Sequence, residues 1–303
     1  MNILIIGCQG FIGSYLCNYF VSNSHTVYGI DVFETPANLK YAYLKVSRLS
    51  SQWEQILKAE SFNICINASG SGNVPYSLTH PLIDFEANTL DVIRILDALK
   101  EYQPTCKYVH ISSAAVYGNP DKLPIAETAL LQPISPYGFH KMMSETICQE
   151  YSKLFKVPIV VVRPFSIYGI GLRKQLLWDI CNKLSQNDEI TMFGTGNETR
   201  DFIHISDFVF LIDLIIQHSE FKGETYNAAS GKETSIKEIV SIFNNYYSFT
   251  KKISFNQQIK EGDPLNWLAD ISAIKDMGFR TKTRLENAVL DYIEWFKNIY
   301  AKG

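Results

Sequence analysis

The first half of the chain alternates short apolar runs with stretches in which apolar residues recur every three or four positions. Runs closed by glycine or a polar residue read as buried strands, and the periodic stretches between them as helices. Asn2–Ile6 is the first strand and ends at Gly7. Phe11–Val21 follows as a helix with Phe11, Ile12, Tyr15, Leu16, Tyr19 and Phe20 on its apolar face. Val27–Ile30 is a second strand ending at Asp31, Trp53–Lys58 a short helix, and Asn63–Asn67 a third strand. Pro81 opens a long helix to Lys100 that stops before Pro104. Lys107–Ser112 is a strand, Tyr137–Phe155 a helix, and Ile159–Val162 a strand closed by Arg163-Pro164. This order predicts an α/β fold, a doubly wound parallel sheet with helices on both faces.

The character changes after Tyr168. Gly169, Gly171, Gly194 and Gly196 punctuate shorter elements, with helical segments near 173–186, 206–218 and 235–246. The expected division is a sheet domain over 1–168 and a smaller, partly interleaved lobe over 169–303, with some segments of the second returning to the sheet. With 46% hydrophobic residues in a chain of 303, there is material for a large core or two unequal ones. A net charge of −3 with no basic cluster excludes a nucleic-acid partner. No apolar run approaches the roughly 20 residues that span a bilayer, so no membrane partner is expected. The start, MNILIIGCQGFIG, lacks a basic leader and a small-residue cleavage site, and its apolar stretch reads as a strand. Cys8, Cys17, Cys65, Cys106, Cys148 and Cys181 are scattered in apolar segments, which suits reduced, buried thiols of a cytoplasmic protein.

Three motifs carry chemistry. Gly7-Cys8-Gln9-Gly10-Phe11-Ile12-Gly13 follows a strand and opens a helix. Glycines allow the sharp turn and the close approach of a pyrophosphate, which the free N–H groups at Gly10, Phe11, Ile12 and Gly13 can face. Asp31 ends the next strand, where a carboxylate can accept both ribose hydroxyls of an adenosine and repel a 2′-phosphate. The plain alternative is a strand–turn–helix with a surface aspartate. Next, Tyr137 and Lys141 are four apart on a helix, so the phenol and the ammonium share one face. A nearby ammonium favours the phenolate and makes the phenol a usable base, although this spacing also occurs in pairs of surface residues. Last, Ser112-Ser113 closes a β-branched strand, where open α/β sheets place their ligands. That stretch also reads as a turn of small residues.

Together these motifs resemble the extended short-chain dehydrogenase/reductase family, in particular its nucleotide-sugar epimerases and dehydratases of the UDP-glucose 4-epimerase kind. Further stretches carry the resemblance along the chain: Ser135–Lys141, Arg163–Gly169, Gly194–Asp207, Tyr226–Gly231, and Gly262 to Ser272. The resemblance implies a Rossmann-type fold with NAD as cofactor, held by Gly7, Gly10, Phe11, Ile12, Gly13 and Asp31. It implies Ser113, Tyr137 and Lys141 as the catalytic triplet, with Lys141 also touching the nicotinamide ribose. Arg200 matches the arginine that contacts the substrate's nucleotide diphosphate. An ion pair of Arg200 with Asp201 or Asp207 is the structural alternative. A homodimer through the helices near 82–100 and 137–155 is expected by the same resemblance. On those helices Ile93, Leu96, Leu99, Met142, Ile147 and Tyr151 could serve the interface or face the sheet.

The departures from the family pattern narrow the chemistry. Ser166 stands where relatives carry a substrate-touching asparagine, and Lys260 where they carry an arginine, which loses the bidentate fork. Arg173 and Lys174 follow Gly169-Ile170-Gly171 as phosphate contacts or as solvated charges. Lys45-Val46-Ser47-Arg48 replaces the aspartate-rich segment that often meets adenine. After Ser113, the acid pair of the dehydratases is Ala114-Ala115, and neither side chain can move a proton. The expected function is therefore an NAD-dependent 4-epimerase of a nucleotide-diphosphate sugar, working through a 4-keto intermediate. The alternative is an NAD(H)-dependent 4-ketosugar reductase or 4-dehydrogenase with the same residues.

Overall fold

The computed structural model describes residues 1–35, 38–46, 50–258, 262 and 264–300. The chain opens with β1 (Asn2–Ile6), α1 (Phe11–Ser22), β2 (Thr26–Asp31), β3 (Ala42–Lys45), α2 (Ser50–Ala59) and β4 (Ile64–Asn67). It continues through α3 (Val74–Thr79), α4 (Pro81–Phe85), a π turn (Glu86–Leu90), α5 (Asp91–Tyr102) and β5 (Lys107–Ile111). A 3-10 turn (Ala114–Val116), α6 (Pro136–Phe155) and β6 (Ile159–Pro164) complete the first half. The second half holds β7 (Ser166–Tyr168), α7 (Gln175–Gln186), β8 (Glu189–Met192), β9 (Thr199–His204), α8 (Ile205–His218) and β10 (Lys222–Ala228). It ends with β11 (Glu233–Ser235), α9 (Ile236–Tyr246), β12 (Lys252–Phe255), α10 (Ser272–Asp276) and α11 (Leu285–Tyr300).

Seven parallel strands form the main sheet in the order β10-β6-β5-β4-β1-β2-β3, the expected doubly wound α/β architecture. The period-two geometry of strands divides its residues between two cores. Ile3, Ile5, Val160 and Val162 pack on one face with Leu16 and Phe20 of α1 and Phe208 and Ile212 of α8. Leu4, Ile6, Ile159 and Val161 pack on the other with Trp53 and Leu57 of α2, Leu96 and Leu99 of α5, and Tyr151 of α6. Each such side chain withdrawn from water contributes about 1.5–3 kcal/mol. All six cysteines are free and buried.

A third core joins α7, α9 and α11 to β8 and β9 through Leu177, Ile180, Ile190, Phe202, Phe243, Val289 and Phe296. Its two small sheets are β11-β9-β7 and β12-β8. The chain passes back to the main sheet between them: α8 shares the core of α1, and β10 pairs with β6.

The long helix expected from Pro81 is split by the π turn, whose Ala87, Asn88 and Thr89 are buried. The sequence reading names neither the edge strand β3, the helices α3, α10 and α11, nor the individual strands of the second half, β7 to β12. On the helices expected to pair two copies, Leu96, Leu99 and Tyr151 are buried within this chain, and Ile93, Met142 and Ile147 pack partly buried against its cores.

A buried ion pair ties α6 to β6. Arg163 donates from Nε to Glu145 at 3.0 Å and from Nη2 at 2.6 Å, while Nη1 reaches the Tyr117 hydroxyl at 2.7 Å and the Glu127 carbonyl at 2.9 Å. Glu145→Leu would leave the guanidinium buried without its counter-charge. Urea unfolding should then show a loss of about 3–5 kcal/mol. A loss below about 1 kcal/mol would show that the pair is not held as described.

Candidate functional site

The site forms where the chain direction in the sheet reverses. From β1 the chain winds out to β3 and then crosses to β4 on the other side of β1, so the loops after β1 and β4 diverge and leave a crevice. Gly7 closes β1 with φ +80°, a left-handed conformation that favours glycine. A Cβ there would stand 2.8 Å from the Ser69 backbone in the loop after β4. At Gly13, a Cβ would lie 2.0 Å from the Gly7 carbonyl oxygen, so only glycine lets α1 seat its first turn against the strand end. Gly10 precedes α1 and offers no side-chain cap, which leaves the first N–H groups of the helix, from Phe11 onward, directed into the crevice. The Asp31 carboxylate, buried at the end of β2, accepts from Gln9 N at 2.9 Å and Val32 N at 2.8 Å, and so fixes the turn. A bare helix N-terminus for a pyrophosphate beside a carboxylate for ribose hydroxyls fits NAD.

The second cluster sits above β5. Ser113 extends from the strand end and accepts from Ala115 N at 3.1 Å, which starts the 3-10 turn. Helix α6 is capped by Ser135, with Pro136 in its first turn. Gly138 lets this helix approach: a Cβ there would be 2.7 Å from the Ala115 carbonyl oxygen. The approach brings the Tyr137 hydroxyl to Ser113, whose hydrogen bond draws the phenol's pKa down against a larger effect of burial. The net position is high, pushed up to about 12 by burial, with the negative Asp84 adding to the rise. One turn on, the Lys141 ammonium donates to the Ile111 carbonyl at 3.0 Å. Burial lowers Lys141 to about 8, against Asp84, Cys148 and Glu145, which raise it. The expected pull of Lys141 on the phenol is not among the causes that move Tyr137. The ammonium is turned to the Ile111 carbonyl instead.

Neighbours that sequence reasoning missed complete the cluster. Asp84 is fully buried on α4, with Oδ2 2.7 Å from His140 Nδ1 and Oδ1 without a partner among the described residues. Asn88, in the π turn, donates to the Ser71 carbonyl at 3.2 Å and holds its own oxygen against Gly70. No local sequence signal marks these residues, because α3, α4 and α6 meet only in the fold.

The remaining candidates lie farther out. Arg200 donates to the carbonyls of Thr199 at 2.8 Å and Leu265 at 3.1 Å and lies over the Trp267 ring. Asp201 instead accepts from Ser230, Gly231 and Ala269, and Asp207 from the Lys282 and Thr283 amides. Ser166 is half-buried in β7 and Arg173 is exposed before α7. Lys260 and Arg48 lie outside the described residues. Among the described residues, no three His, Cys, Asp or Glu side chains gather to hold a metal, and no helix is long and apolar enough to cross a membrane.

The family described as "NAD dependent epimerase/dehydratase family" matches residues 3–229. The chain belongs to this family. Its cofactor is NAD, in agreement with the glycine turn and Asp31. It is 29% identical over 318 residues to a Bacillus subtilis protein described as an uncharacterized UDP-glucose epimerase, with 99% of each chain covered. It is 26% identical over 304 residues to a putative UDP-glucose 4-epimerase of Methanocaldococcus jannaschii, covering 98% of both. Among solved structures, the UDP-glucuronic acid 4-epimerase of Bacillus cereus, in complex with UDP-glucuronic acid and NAD, superposes with a TM-score of 0.90. That comparison has 26% identity and covers 99% of this chain and 100% of the other.

Gly13→Ala tests the crevice directly. Displacing α1 from the strand end costs about 1–3 kcal/mol, and NAD affinity measured by calorimetry should fall roughly tenfold or more. Wild-type affinity in this variant would refute the close approach of α1 to the cofactor.

Proposed function

We propose that the protein is a nucleotide-sugar 4-epimerase acting on a nucleoside diphosphate hexose through a 4-keto sugar. The observation that carries this reading is the buried meeting of Tyr137 and Ser113 at the end of β5, with Lys141 one turn away and Ala114-Ala115 in the turn that follows Ser113. The UDP-glucose epimerases among its relatives support the same reading.

NAD, when bound, supplies the reversible two-electron oxidation of carbon 4 and its reduction from the other face. Tyr137 takes the proton of the 4-hydroxyl at Oη and returns it once the sugar has turned. Ser113 Oγ, held by the Ala115 amide, orients that hydroxyl between itself and the phenol. Lys141, held one turn along α6 by the Ile111 carbonyl, would bind the nicotinamide ribose beside Tyr137. Arg200 has its planar group set by two carbonyls and the Trp267 face, and with Arg173 and Lys260 it binds the diphosphate end. Asp31 selects NAD over its 2′-phosphorylated form.

The test uses protein purified without added cofactor. It should interconvert UDP-glucose and UDP-galactose unaided and release near-stoichiometric NAD on denaturation. Tyr137→Phe should lower kcat by about a hundred- to ten-thousand-fold while the bound NAD remains. Turnover that needs added NADH or NAD in each cycle would replace this reading with a net oxidoreductase.

A homodimer belongs to the same reading. Leu82 and Ile83 of α4 and Phe139 and Met143 of α6 are exposed apolar residues, and the last two lie one turn apart on one face. Sedimentation should give twice the chain mass for the wild type and a single mass for Leu82→Glu with Phe139→Glu. A wild-type monomer would refute the pairing.

A further inference from the structure

One cation near the reacting atoms is left over by the mechanism. Lys174 is the residue before α7, at the edge of the second lobe, and its side chain crosses the crevice to Gly72 in the loop after β4. A Cβ placed on Gly72 would stand 3.3 Å from the Lys174 ammonium nitrogen and 3.9 Å from the Tyr137 hydroxyl. Ammonium and phenol therefore flank the same small residue. Lys174 has no hydrogen bond or ion pair among the described residues. Its side chain is exposed to the open crevice, yet the surrounding protein displaces enough water to lower its pKa, and no neighbouring charge contributes to that shift. The backbone holds it there under strain, since Gln175, the next residue, has φ +68°, a left-handed conformation unusual for a side chain of that size.

An ammonium so placed invites an anion from the ligand. If Tyr137 Oη marks the 4-hydroxyl, as the epimerase reading requires, the substituent on the neighbouring ring carbon is the nearest sugar group that can carry a charge. The diphosphate end is served by Arg200. The two residues after Ser113, Ala114 and Ala115, carry no charged side chain. We propose that Lys174 binds a carboxylate at carbon 6, so that the preferred substrates are nucleoside diphosphate uronates. This rests on the epimerase reading for the placement of the sugar, but its test is separable.

Binding of UDP-glucuronic acid and UDP-glucose to the NAD-loaded protein is measured by calorimetry for the wild type, Lys174→Met and Lys174→Arg. The wild type should bind the uronate at least about tenfold more tightly. Lys174→Met should bring the ratio near one, and Lys174→Arg, which keeps the charge, should restore a preference. Equal loss for both ligands in Lys174→Met would assign the ammonium to the diphosphate and overturn the proposal. A preference that survives in Lys174→Met would overturn it too. A protein that shows the Lys174-dependent preference but epimerises neither sugar would refute the 4-epimerase reading alone. One that epimerises UDP-glucose without the preference would refute the uronate assignment alone.

Discussion

A guanidinium withdrawn from water must find an acceptor for nearly every N–H it carries, and Arg163 finds them on three separate parts of the chain. Its fork closes on Glu145 of α6, and its remaining donors reach Tyr117 after the 3-10 turn and the Glu127 carbonyl. Tyr117 passes the network on to Asn227 of β10 at 2.7 Å, and the Asn227 amide nitrogen returns to the Ile125 carbonyl at 2.8 Å. Ser112, at the end of β5, donates to Glu145 from the other side. The ends of three neighbouring strands, helix α6 and the loop between them are thus held by one charge pair. Such a pair is weak evidence for added stability, because desolvation cancels much of the attraction. Its effect here is geometric. Glu145 lies one turn beyond Lys141 on α6, so fixing the carboxylate fixes the angular position of Lys141 and, a turn before it, of Tyr137.

The glycine crevice is a separate constraint that meets this one at the reversal in strand order. Gly13 brings α1 onto the strand end, and Gly138 brings α6 onto the Ser113 turn. Both are close approaches of a helix to backbone, and both set a reactive or binding group within reach of the same crevice. Loss of either Cβ-free position would move a whole helix, which is a larger disturbance than the loss of a contact.

The elements legible in the sequence are those whose signal is local. The β1–α1 turn is written in glycine spacing, the Tyr137–Lys141 register in helical spacing, and the main strands in apolar runs. The edge strand β3 escapes because three of its four residues are exposed, so no apolar alternation announces it. The π turn escapes because its extra residue is accommodated by Asn88 bonding to the Ser71 carbonyl, a contact from another loop. Helix α11 has a clear period through Ala288, Val289, Tyr292, Ile293 and Phe296, so its signal was present. The site is legible to the same degree. Ser113, Tyr137 and Lys141 can be named from motifs, whereas Asp84, His140 and the reach of Lys174 depend on three or more elements converging.

The charges around Tyr137 pose a problem that their arrangement goes some way to solve. A buried phenol held near 12 keeps its proton, and a base must give it up readily. Lys141 is suited to help only while it stays charged, and burial alone draws it toward neutrality. Carboxylates nearby counter that drift, yet any carboxylate near the phenol also opposes its ionisation. The structure separates the two effects by partner. Glu145 supports Lys141 while its own charge is matched by Arg163, and it does not enter the balance at Tyr137. Asp84 acts on both groups, and its Oδ2 is tied to His140 Nδ1 at 2.7 Å. The resting pocket therefore favours a protonated phenol beside a largely protonated lysine at neutral pH. On the epimerase reading, ionisation of Tyr137 waits for the positive charge and the exclusion of water that a filled pocket brings, which would tie a base's activity there to occupancy of the site.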